Sequence, residues 1–144
     1  MPNWTDNTVE IWGSSEVLKN LIDLFGSEES VFDFQKIIPM PSNIFKGNLG
    51  EEERKEHGEN NWYDWGIANW GTKWNSAESK LVEMPEQDLF VYSFLTAWDA
   101  PRPLAQFIYD NHLNEVDWCN WYCTHEFEEN TELLIGDKEE FFVT

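Results

Sequence analysis

Nine residues, Leu89-Phe90-Val91-Tyr92-Ser93-Phe94-Leu95-Thr96-Ala97, do most to limit the architectures open to this chain. Read as a strand, with its alternation carried on to Trp98, they put Phe90, Tyr92, Phe94, Thr96 and Trp98 on one face and Leu89, Val91, Ser93 and Leu95 on the other. Both faces are mainly apolar, so both need cover. The segment is therefore expected to be a central strand of a sheet.

The remaining elements are read around it. Thr8 to Trp12 forms a first strand with Val9 and Ile11 on one face. Ser14-Ser15-Glu16 supplies a hydroxyl N-cap and an acid in a first helical turn. Leu18, Leu21, Ile22 and Phe25 follow at helical spacing, and Gly26 closes the helix. Phe32 to Ile38 reads as extended, stopped by Pro39-Met40-Pro41. Residues 51–60 are polar throughout and fit a short solvated helix or an irregular loop. Lys80 to Met84 is a short strand ended by Pro85. Asp99 and Pro101 open a second helix whose stripe is Leu104, Phe107 and Ile108. Glu115 to His125 returns as a strand, and Thr131–Ile135 with Glu139–Val143 resembles a hairpin around Gly136-Asp137.

This order is β-α-β, an aromatic insertion at about 39–79, then β-β-α-β-β. It suits an α+β sandwich of ferredoxin-like type, a mostly antiparallel sheet with two helices on one face. The 144 residues fit one domain spanning 1–144, with no repeat and no linker.

Charge removes several classes of function. There are 28 Asp+Glu against 9 Lys+Arg, a net −19. Direct binding of duplex DNA needs a Lys/Arg surface, and docking on anionic membranes needs the same. No run approaches the roughly 18 apolar residues of a membrane span. The start, Met1-Pro2-Asn3-Trp4, lacks the basic and apolar regions of a secretory signal, so a cytoplasmic location is expected. Cys119 and Cys123 lie four apart on one expected strand, about 13 Å at roughly 3.3 Å per residue. That is too far for a disulfide, so free thiols are expected.

Four of the nine Trp fall between positions 62 and 74. Trp62, Trp65, Trp70 and Trp74, with Lys73, offer an aromatic platform for stacking bases or partner side chains. The alternative is that these rings pin a long connection to the core in place of secondary structure. The structural reading is preferred here, because Lys73 alone is too little charge for an electrostatic groove.

The block Asn69-Trp70-Gly71-Thr72-Lys73-Trp74 also carries a family likeness. With Met1-Pro2-Asn3-Trp4, Asn7, Ile11-x-Gly13, Phe32-x-Phe34-x-x-Ile37-Ile38-Pro39-Met40-Pro41, Trp62-Tyr63-x-Trp65 and Phe94-x-Thr96-x-Trp98-x-x-Pro101, it resembles the ferredoxin-like domain family typified by the plasmid protein YubB. The likeness spans roughly residues 1–112, with Thr5 where members commonly carry Cys. It implies a ferredoxin-like fold and an origin in bacteriophages or plasmids. It implies no catalytic residues.

Cys119, Cys123 and His125 share one strand face but are spread too far for one tetrahedral zinc, so no metal or cofactor is expected. There is no phosphate-binding glycine loop, no G-x-S-x-G elbow and no H-E-x-x-H, so a non-enzymatic role is expected. What remains is the acid excess. Glu126, Glu128, Glu129 and Glu132 flank a turn, with Asp137, Glu139 and Glu140 close behind, as a candidate partner-binding surface. Rows of carboxylates can imitate the phosphates of nucleic acid. The expected function is binding and inhibition of a host bacterial defence protein with a basic nucleic-acid channel, of anti-CRISPR or anti-restriction type. The competing readings are an accessory protein binding single-stranded nucleic acid through aromatic residues, a phage structural or housekeeping role, and acidic charge serving solubility alone.

Overall fold

In the computed structural model, which describes residues 3–126, 128 and 130–136, strands β1 (Trp4–Trp12), β2 (Ala77–Met84), β3 (Leu89–Ala97), β4 (Trp118–His125) and β5 (Thr131–Ile135) make one sheet. Its order is β2-β3-β1-β4-β5, with every neighbouring pair antiparallel. Five helices accompany it: α1 (Ser15–Phe25), α2 (Phe34–Ile37), α3 (Glu51–His57), α4 (Trp62–Asn69) and α5 (Arg102–His112). The course β1-α1-β2-β3-α5-β4 is compatible with a ferredoxin-like sandwich, and β5 extends the sheet beyond β4. β3 lies inside the sheet with β2 and β1 on its two edges, and β1 takes the middle place. The strand expected over 139–143 lies outside the described residues.

Register explains the core. Pairing Val9 with Tyr92 and Trp121, and Ile11 with Phe90 and Cys119, aligns the apolar face of three strands. Leu18, Leu21 and Phe25 of α1 and Leu104, Ala105 and Ile108 of α5 join the same buried cluster, so both helices cover one sheet face. Ser14 Oγ accepts the Val17 N–H at 3.2 Å and starts α1. Gly26 ends it for want of room: a Cβ there would meet the Ile22 carbonyl oxygen at 2.9 Å. On the other face Glu10 is fully buried, with the Tyr122 hydroxyl 3.4 Å from its carboxylate. Burial and the Glu10 charge push that phenol up to about 12.

Two local expectations are corrected. Phe32 to Ile38 is not a strand. The Asp33 carboxylate accepts the Gln35 N–H at 3.0 Å and caps the short helix α2. Phe32 and Phe34 are buried all the same, the first stacked on Phe94 with centroids 4.6 Å apart. The aromatic stretch does not lack secondary structure either, because residues 62–69 form α4. Only Gly66 of that helix is buried, so it has no apolar stripe to betray it. Its start is fixed by Asn61, whose Oδ1 accepts the Asp64 N–H at 2.8 Å while its Nδ2 reaches the Gly58 carbonyl at 2.8 Å.

The aromatic block is locked to the sheet. Trp70 is 4% exposed, and its indole N–H donates to the Ile38 carbonyl at 3.0 Å. Trp65 meets Trp70 edge-on at 5.1 Å, and Trp62 donates to the Gly47 carbonyl at 2.9 Å. Gly71, at φ +91, lets the chain pass the start of α5, where a Cβ would meet Pro103 Cδ at 2.6 Å.

Candidate functional site

One end of the sheet gathers the start of β1, the end of β3 and the end of β4. Chain polarity alone requires this, because β1 runs antiparallel to both neighbours. The end is held by buried polar contacts. Asn7, 1% exposed, donates to Thr96 Oγ1 at 3.0 Å and accepts from Trp121 Nε1 at 3.1 Å, tying three strands together. Thr96 Oγ1 donates to the Asp99 carbonyl at 2.7 Å, and Thr72 Oγ1 donates to the Ala97 carbonyl at 2.9 Å.

These bonds over-determine the turn after β3 and hold Trp98 in the left-handed region at φ 71. Trp98 N–H donates to the Asn3 carbonyl at 2.7 Å. The backbone leaves the strand path there, so Trp98 does not continue the Phe90–Phe94 face as alternation expects; it is 49% exposed. Lys73 Nζ sits 3.8 Å from the Trp98 ring centroid and 4.2 Å from that of Trp74, which is 41% exposed. Trp4 lies 6.2 Å from Trp74, centroid to centroid. The ammonium is therefore seated between two exposed indoles.

Beside this clasp opens a cavity of about 390 Å³ whose lining includes Trp4, Trp98, Asp99, Glu126, Glu128 and Glu132. Thr5 and His125 lie at it too, with Thr5 Oγ1 3.1 Å from His125 Nδ1. His125 Nε2 is 3.0 Å from Glu132 Oε1. Arg102 grips the same carboxylate twice, Nε to Oε2 at 2.9 Å and Nη2 to Oε1 at 2.6 Å, and donates from Nη1 to Asp99 at 2.9 Å. The hydrogen bond from Arg102 holds the Glu132 carboxyl below the usual carboxylate range. Glu126 and Glu128 are exposed; their backbone N–H groups donate to the Trp4 and His125 carbonyls at 3.1 and 3.0 Å.

Of the acids singled out in the sequence, Glu126, Glu128 and Glu132 meet at this cavity. Glu132 is tied down by Arg102 and His125, whereas Glu126 and Glu128 face solvent. Glu129, Asp137, Glu139 and Glu140 lie outside the described residues. Of the aromatic set, Trp62, Trp65 and Trp70 bond or stack within the fold, while Lys73 and Trp74 reach the clasp. Sequence reading missed Trp4, Trp98, Asp99, Arg102 and His125 as site residues. The available signal was Trp98-Asp99 placed directly after the strongest strand pattern.

Both cysteines are buried and free of disulfides. Burial pushes their thiols above the ordinary range and leaves them poor nucleophiles. Among the described residues no three His, Cys, Asp or Glu side chains gather as metal ligands do, and no helix is long and apolar enough to cross a membrane.

No family model, curated protein or solved structure matches the chain.

Proposed function

We propose that this protein is a non-enzymatic inhibitor, of mobile-element origin, that binds a host defence protein through a carboxylate surface standing in for nucleic-acid phosphates. The observation that carries this reading is where the few cations go. Among the described residues Lys36 donates to the Asp23 and Gly26 carbonyls, and Lys46 to those of Pro41, Ser42 and Ile44. Lys73 lies on indole faces. Arg54 meets Asp64, and Arg102 meets Asp99 and Glu132. Three of these five cations, Lys36, Lys46 and Lys73, are thus used on carbonyls and rings even though carboxylates outnumber cations three to one, 28 against 9. The surplus is left to solvent and to a partner.

The likeness of Asn69–Trp74 to the YubB-like family supports the origin. Stacking of single-stranded nucleic acid has less behind it, since Trp62, Trp65 and Trp70 already serve the fold. The test is capture from host lysate on immobilised protein, followed by challenge with duplex oligonucleotide and with salt. The reading requires a captured nucleic-acid-binding protein that duplex DNA or RNA displaces and rising salt releases, because exposed charges are screened over about 8–10 Å. A partner held equally well at high salt and indifferent to oligonucleotide contradicts it.

A further inference from the structure

We propose that the cavity lined by Trp98, Glu126 and Glu128 is a seat for one arginine side chain of the partner. This rests on the acidic-surface reading and deepens it by naming the group recognised. Three observations meet there. Trp98 and Trp74 already hold a cation, Lys73 Nζ, at 3.8 and 4.2 Å, so the chemistry these rings accept is visible inside the molecule. Trp98 and Trp4 also line the adjacent cavity of about 390 Å³, together with the exposed residues Glu126 and Glu128. The wall behind them is prearranged: Arg102 and His125 fix Glu132, and the left-handed backbone at residue 98 turns its indole outward.

Indole faces beside carboxylates select a planar, weakly hydrated cation. Guanidinium stacks on rings and bonds carboxylates in two-pronged fashion; an ammonium does only part of this. Nucleic acid has no such group, whereas a phosphate-binding channel is lined with them. The occupant is therefore an arginine of a basic protein surface. Lys73 is not part of the cavity lining, and its ammonium stays 3.8 Å from the Trp98 ring centroid.

The experiment titrates hexa-arginine peptide into ¹⁵N-labelled protein at low salt, following indole N–H signals and calorimetric affinity. Four proteins are compared: wild type, Trp98→Gly, the pair Glu126→Gln/Glu128→Gln, and the remote pair Glu51→Gln/Glu52→Gln on α3. Glycine suits φ 71, so Trp98→Gly removes the ring without backbone strain. The expected result is movement of the Trp98 and Trp4 signals, with affinity lowered about tenfold or more by either cavity change. The remote pair should stay within about twofold, and hexa-lysine should bind wild type more weakly than hexa-arginine. Equal loss from the remote pair, or no movement of the Trp98 signal, overturns the arginine seat. The acidic-surface reading is then judged separately, by whether captured host protein is still displaced by oligonucleotide. If a single-stranded oligonucleotide moves the Trp98 signal while hexa-arginine does not, both readings fall.

Discussion

Arg102 and Glu132 form a two-pronged ion pair, 2.9 and 2.6 Å, that joins the first turn of α5 to β5 across thirty residues of chain. It divides the acidic turn into two kinds of carboxylate. Glu132 belongs to the fold, and Glu126 with Glu128 belongs to the surface. Glu132→Lys is expected to lower stability by roughly 1 kcal/mol, solvent screening of the partly exposed pair included. Glu126→Lys/Glu128→Lys should leave the urea midpoint nearly unchanged and slow association with the captured partner. Equal midpoints for the two variants would remove the distinction.

Trp70 joins the insertion to the core through its buried ring and its bond to Ile38. Trp70→Ala should cost about 3–5 kcal/mol, the range for deleting a large buried aromatic. Trp70→Phe, which keeps a ring but loses the N–H, should cost less. Chemical denaturation reads both. An alanine variant with a wild-type midpoint and lost partner binding would transfer Trp70 from the fold to the site.

Tyr92 carries a buried hydroxyl with no hydrogen-bond partner among the described residues, and burial, with the Glu83 charge, pushes its ionisation far above the ordinary phenol range. Removing an unsatisfied polar atom relieves its desolvation cost. Tyr92→Phe is expected to be neutral or stabilising by up to about 1 kcal/mol in the same assay. A loss of stability would reveal a partner for that oxygen.

Asp33 gives a pH-dependent term. Burial opposes its charge, but hydrogen bonds from Asn75, Ser27 and the Gln35 and Lys36 backbone outweigh this and hold its pKa below the ordinary 3.8. The unfolded chain then binds the proton more readily. The stabilisation is whole above 3.8 and fades as pH falls through the lower folded value. Asp33→Asn keeps an acceptor for the cap but loses the charge, so it should be less stable than wild type at neutral pH. That gap should narrow as pH falls below 3.8 and through the lower folded value, the shared acidic background cancelling in the comparison. A gap independent of pH would assign the effect to shape rather than charge.

The thiols of Cys119 and Cys123, buried and held protonated, should react with a water-soluble disulfide reagent only after unfolding. Rapid titration of either thiol in native protein would show that β4 opens.

Residue pattern alone settled the elements that carry their own period: the alternation of β3, the Ser14-capped stripe of α1, and the Leu104–Ile108 stripe of α5. Although the expected order carried one strand too many, at Phe32–Ile38, these elements led to a mostly antiparallel sheet under two helices, because burying one face of each leaves few arrangements. Local polar capping defeated the pattern at Asp33, where alternation of Phe32 and Phe34 suggested a strand and a side-chain bond made a helix turn instead. It also hid α4, whose rings point to several neighbours and so show no period. The candidate site was legible only in part. Glu126 and Glu128 could be picked out as a charged turn, and Lys73 with Trp74 as an aromatic tail. Their meeting with Trp4, Trp98 and Arg102 depends on strand polarity and on a left-handed turn at residue 98. Contacts between residues so distant along the chain leave no local trace; only the closed sheet brings cation, ring and carboxylate to one end.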